Sequence, residues 1–160
     1  LVRTKSVDAE EAVLRLSEMM RYMIYQVDKG PVPLTREIGY LKHYVDLQTM
    51  RLSPNNRVSL DFDADNPWAL VEPLLFVHFV ENAFKHGLHP DDEAWIAIRL
   101  TLRDGVLRFQ TQNRVFSQPA DPDSGIGIQN TRRRLQLHYP NQHELRISRQ
   151  EDVFGVDLTI

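Results

Sequence analysis

Glu72-Pro-Leu-Leu-Phe-Val-His78-Phe-Val-Glu81-Asn82-Ala-Phe-Lys85-His86-Gly87 is the stretch whose reading decides the fold. Pro73 stands where a first helical turn tolerates proline, and Gly87 where helices commonly end. Most residues between them are large and apolar, so the spacing predicts a helix buried on most sides. His78, Glu81, Asn82 and Lys85 break that pattern at i, i+3, i+4 and i+7, which places all four on one stripe. Burying such groups unpaired costs roughly 2–7 kcal/mol for a neutral group alone. The stripe therefore either faces solvent or walls a polar pocket. As a pocket wall, Asn82 offers an oxygen to a hard cation, Glu81 binds or activates water, and Lys85 with His86 meets an anion.

The whole chain frames this helix. Its 160 residues with 42% hydrophobic content fit one domain, or one domain plus an appendage. A chain of this length buries roughly 70% of its unfolded surface, so it needs neither disulfides nor structural metal. The absence of cysteine fits a reducing compartment. A net charge of −3 is too mild to argue for nucleic acid or an anionic membrane as partner. The chain starts at Leu1 without Met and is read as a piece of a longer protein.

Residues 8 to 28 read as a helix, with Val13, Leu16, Met20, Met23 and Val27 as a narrow 3,4-spaced seam and Asp8 as N-cap. Gly30-Pro-Val-Pro breaks the chain. A second helix starts at Thr35, with Glu37 close behind, and runs to about Leu52. It carries two apolar stripes: Ile38, Leu41, Val45 and Leu52 on one, Tyr40, Tyr44 and Leu47 on the other. Two buried faces imply an antiparallel hairpin that meets a second copy or a further helix; packing onto the following domain is the alternative. Ser53-Pro-Asn-Asn marks the boundary, giving a helical region at 1–52 and a second domain at 53–160.

Past that boundary the period changes. Val58, Leu60 and Phe62 alternate as a half-buried strand does, and so do Ile96, Ile98, Leu100 and Leu102. Asp104-Gly105 supplies a hairpin turn into Leu107 and Phe109. Two closing strands hold Leu145 with Ile147, then Phe154, Val156, Leu158 and Ile160. Five strands with one-sided alternation plus helices predict a two-layer α/β sandwich. Residues 114 to 124 hold no periodicity and two prolines, a loop long enough to carry a function. Gly125-Ile-Gly127-Ile then opens a third helix, to about His138. Glycines at a helix start let backbone N–H groups approach an anion, and Arg132, Arg133 and Arg134 follow; alone, each feature is more often a plain loop or a solvated face. Together with the acid–amide–cation stripe they describe a site for a polyphosphate with a divalent metal.

These stretches resemble a known family. Glu81-Asn-Ala-Phe-Lys-His-Gly87 resembles the N box of the GHKL ATPases, in the form found in sensor histidine kinases, and the surrounding chain resembles the LytS/YehU-like kinases, the Bacteroidetes-type branch among them being the narrower candidate. Gly125-Ile-Gly-Ile-Gln-Asn130-Thr-Arg-Arg-Arg134-Leu is similar to their glycine box. Val32-Pro-Leu-Thr-Arg-Glu37 through Arg51 is similar to their second core helix, and Leu16-Ser-Glu-Met-Met-Arg21-Tyr22 to the segment before it. The matches run in family order over nearly the whole chain. The resemblance implies a Bergerat sandwich that binds ATP and Mg²⁺. Asn82 would hold the metal, and Glu81 would be catalytic, supporting the metal or its water. His78, Lys85, His86, Gly87, Asn113, Gly125, Gly127, Asn130 and Arg134 would contact the nucleotide, beneath a lid at 114–124. It further implies a homodimer through the N-terminal helices and a response regulator as partner, often with a LytTR-type output. The chain would be the cytoplasmic domain of an inner-membrane sensor, attached to the membrane only through segments upstream.

Two departures qualify those expectations. The family's Asp-x-Gly-x-Gly, whose Asp accepts from the adenine amino group, is replaced by Thr111-Gln112-Asn113-Arg114. An amide oxygen accepts the same bond without the charge that strengthens it. The family's Pro-His-Phe-Leu-Phe-Asn acceptor motif does not occur here, and His43 is read as structural, so this chain is not expected to phosphorylate itself at the usual site. The rival readings are a degenerate core that works by dimerisation alone, and a gyrase- or MutL-like ATPase.

Overall fold

The computed structural model describes residues 2–26, 29–116 and 126–160. They form two compact units, Leu1–Arg51 with Trp68–Leu74, and Leu52–Pro67 with Leu75–Ile160. Among the described residues no helix is long and apolar enough to cross a membrane.

The first unit is built on α1 (Val2–Gln26) and α2 (Leu34–Thr49). Helix α1 begins six residues before Asp8, so Asp8 lies inside it and not at its cap. The expected apolar seam does not turn onto α2. Val13, Leu16, Met20 and Met23 are 40–63% exposed, while Met19 and Tyr22 face the partner helix. Val27 lies outside the described residues. Met19 is buried and the Tyr22 ring lies 5.3 Å from that of Tyr40. Arg15 bridges to Asp46 at 3.0 Å, and His43 Nδ1 lies 3.3 Å from a carboxylate oxygen of Glu18.

Helix α2 starts one residue before Thr35, with Pro33 at its N-cap and no side-chain capping bond. Glu37, in the first turn of α2, is fully buried. Two short strands complete the unit, β1 (Val32–Pro33) and β3 (Leu70–Val71), paired antiparallel with Val32 opposite Val71. Neither has enough residues to show an alternating pattern. Their pairing draws Trp68–Leu74 into the helical unit, so a single cut after residue 52 leaves that segment on the wrong side.

The second unit is a five-stranded sheet in the order β2-β4-β5-β7-β6. The strands are β2 (Asn56–Ala64), β4 (Ala94–Arg103), β5 (Val106–Arg114), β6 (Glu144–Gln150) and β7 (Val153–Thr159). β2 and β4 are parallel because the chain between them passes through β3 and α3 (Val77–His86). The other pairs are antiparallel. Asp104 and Gly105 both take positive φ, as the tight β4–β5 hairpin requires.

One sheet face is apolar, with Ile96, Ile98, Leu100, Phe109 and Leu158 at or below 1% exposure. Against this unit's core pack Phe76, Phe79 and Val80 around α3 and Leu135 of α4 (Ile126–His138). The Phe109 ring lies 4.8 Å from Phe76 and 6.0 Å from Phe79. Each such side chain contributes about 1.5–3 kcal/mol when fully buried. The opposite face carries a compensated charge ladder, with Asp61 on Arg99, Asp63 on Arg103, and Gln110 donating to Asp157. Exposed pairs of this kind add little stability but keep the uncovered face soluble.

Candidate functional site

Helix α3 is shorter than the sequence suggests. Pro73 lies in a turn, not in the first helical turn, and Leu74 has φ +54°, a left-handed conformation no helix can propagate. The helix therefore starts only at Val77. Val77, Phe79, Val80, Ala83 and Phe84 face the core. The polar stripe lies on the other side: His78 and Asn82 are half-buried, Glu81 and Lys85 exposed. His78 Nδ1 sits 3.0 Å from Glu81 Oε2, one turn apart.

The C-terminal end of α3 meets the end of β5. Gly87 was expected as a helix-ending glycine, but its φ of −101° needs no glycine. Space does. A Cβ there would lie 2.5 Å from the Ala83 carbonyl oxygen, 2.6 Å from Asn113 Cβ and 2.9 Å from its Nδ2. Asn113 is fully buried; its Nδ2 donates to the Arg114 carbonyl at 2.8 Å. That bond leaves Oδ1 as a buried acceptor with no partner among the described residues. Thr111 Oγ1, two residues back on the same strand face, is in the same state. An unmet buried acceptor costs about 1–3 kcal/mol, and any donor brought to it recovers that energy.

Arg114, Val115 and Phe116 are anchored and do not begin a free loop. Arg114 bonds the Glu93 carbonyl at 2.8 Å and Asp152 at 3.2 Å, and lies over the Phe116 ring at 5.2 Å. The other partner of Phe116 is His89, stacked at 4.8 Å. The His89 Nδ1 accepts from the backbone N–H groups of Asp91 and Asp92 at 3.3 and 3.2 Å. This column escaped the sequence reading because its members are isolated in sequence; an aromatic residue just past Asn113 was the available signal.

Gly127 lies in the first turn of α4, where a Cβ would sit 4.0 Å from His78 Cβ. The two halves of the expected site therefore do meet, α3 against α4. Buried Thr131, missed in sequence, anchors that turn by donating to the Gly127 carbonyl at 2.9 Å. Asn130, Arg132 and Arg133 are exposed and Arg134 is half-buried. His86 is half-buried at the end of α3. Gly125, Ser124 and the expected lid beyond Phe116 lie outside the described residues.

Asn82 and Glu81 present an amide and a carboxylate, oxygen donors that suit Mg²⁺. Among the described residues there is no cluster of three metal-ligating side chains, so phosphates and water would have to complete the shell. A groove of about 330 Å³ beside Met19, Tyr22, Tyr40 and His43 in the helical unit is not lined by any of these residues.

A histidine kinase family model matches residues 1–56. Over its full length the chain aligns with the sensor protein LytS of Staphylococcus saprophyticus at 33% identity, covering 29% of that protein. The chain belongs to the LytS-like sensor histidine kinases. The sensor histidine kinase YpdA of Escherichia coli is 25% identical, with 86% of the LytS-like chain and 26% of that protein aligned. The chain thus spans less than a third of these relatives. Among solved structures, the kinase domain of the blue-light activated histidine kinase EL346 of Erythrobacter litoralis matches with a TM-score of 0.60 at 17% identity, over 99% of this chain and 81% of that one. The Acinetobacter baumannii kinase AdeS matches at 0.58 and 9%, over 92% and 75%. The fold is therefore that of histidine kinase catalytic domains.

Proposed function

We propose that this chain is the ATP-binding core of a two-component sensor, and that it serves transfer of the γ-phosphoryl group to a histidine and onward to a response regulator. The observation that carries the reading is the orphaned Asn113 Oδ1 beneath Gly87. It is a neutral acceptor, its orientation fixed by the bond from Nδ2 to Arg114, and it stands in the strand end that the resemblance aligns with the family's adenine-reading Asp. Asn82 and Glu81 hold Mg²⁺ and its water, with His78 orienting Glu81. The metal, when bound, neutralises charge on the phosphates, and the protein's share is positioning. Lys85, His86 and the α4 N-terminus around Gly127 favour the anion. The exposed stripe of α1 supports a homodimer in which the helices pair.

Calorimetric titration with a non-hydrolysable ATP analogue, with and without Mg²⁺, tests the site. Binding is expected to require Mg²⁺ and to be lost in Asn82→Ala. A folded chain that binds nothing at millimolar nucleotide would favour the second reading, a degenerate core acting through dimerisation. The uncharged residue at 113 is the feature that favours it.

A further inference from the structure

We propose that Glu37 is a positioning residue for the turn that precedes α3, fixing the backbone at Leu74 and through it the point in the chain at which the nucleotide helix begins. The inference rests on the reading of α3 given above. Glu37 is the one charged side chain among the described residues that is fully buried. A carboxylate in the first turn of a helix is normally satisfied by water or by the helix N-terminus. Buried instead, it must be held by several donors. Two are in place: the Tyr22 hydroxyl of α1 donates to Oε1 at 2.5 Å and the Leu74 N–H to the same oxygen at 2.7 Å.

The Leu74 bond falls at an unusual residue. Leucine disfavours a φ of +54°, so the turn needs support from outside itself. Upstream, the same segment is stitched to the start of α2 by the Leu34 N–H on the Ala69 carbonyl at 2.8 Å and by the Val32–Val71 pair. Glu37 closes the far end of that seam. Leu74 is also the last residue of the first unit, and Phe76, two residues on, is the N-cap of α3. That cap has no side-chain hydrogen bond. With no capping group of its own, α3 takes its start from the chain that precedes it, and Glu37 of the helical unit holds that chain.

Amide exchange and chemical shifts measured by NMR on the whole chain test this in Glu37→Met, Glu37→Gln and Tyr22→Phe. Glu37→Met removes the acceptor at similar volume. It is expected to speed exchange at Leu74 by about tenfold or more, as loss of a bond to a charged group does. It should also shift the amides of Val77 to Asn82 and leave β4 and β5 protected. Glu37→Gln keeps an acceptor oxygen and should restore Leu74 to within about threefold of the parent, the scale of a neutral bond. Tyr22→Phe, which spares the carboxylate, should move the same α3 amides by less, and carries the test if the Met variant does not fold. Unmoved α3 amides in these variants, or an even loss of protection across β4 and β5, would overturn the proposal. These readouts need no nucleotide, so a chain that failed to bind ATP would sink the site reading and still leave the role of Glu37 decided.

Discussion

At the residue scale, Gly87 and Asn113 act as one unit. Any side chain at 87 must displace the Ala83 carbonyl or Asn113, so Gly87→Ala is expected to destabilise the second unit by about 1–3 kcal/mol, read by urea unfolding. Tyr22 sets a pH limit. Burial, then the charge of Glu37, pushes its phenol well above the ordinary 10.0. A raised folded value means this stabilisation is complete below pH 10.0 and is lost as pH rises beyond it, when the unfolded phenol ionises first. Melting curves between about pH 9 and 11 should fall more steeply for the parent than for Tyr22→Phe. An equal slope would show that Tyr22 ionises alike in both states. The need for glycine at 87 was legible, but not its reason, because close approach of a strand is invisible in a helix pattern. Glu37 was read past for a similar cause: a first-turn acid looks like a helix-end group until the fold encloses it.

At the scale of elements, local pattern was informative wherever one face meets one partner. The alternation in β2, β4, β5 and β7 and the Asp104-Gly105 turn were readable for that reason. Helix α1 misled because its apolar residues outnumber those α2 can cover, and the buried one, Met19, lies off the seam. The unmatched seam predicts its own use. Leu16→Glu with Met20→Glu should leave the fold intact and convert a dimer to monomer in sedimentation. A parent chain that is monomeric at high concentration would contradict the pairing. β1 and β3 were illegible since two residues each carry no period, and the two segments that pair are distant in sequence, as are the flanking bonds of Leu34 to Ala69 and Leu74 to Glu37.

For the whole molecule, the sheet and its helices follow from strand count and one-sided alternation. The order β2-β4-β5-β7-β6 does not, because the parallel β2–β4 pair depends on a crossover whose length alone is visible in sequence. The site inherits that order: β5 is central, and only there can Asn113 end beneath α3. The stripe on α3 and the glycine pair at the start of the third predicted helix were readable as two halves, and Gly127 in the first turn of α4 lies near His78. The central claim is that the buried, unpaired Asn113 oxygen reads an exocyclic amino group. The most direct measurement is Mg²⁺-dependent affinity for an ATP analogue against its inosine counterpart, which carries an oxygen where adenine carries that amine. The account predicts that the adenine form binds at least about tenfold tighter, the scale of one buried hydrogen bond gained over an acceptor left facing an acceptor, and that Asn113→Ala abolishes the preference. Equal affinity for the two bases in the parent chain would contradict it.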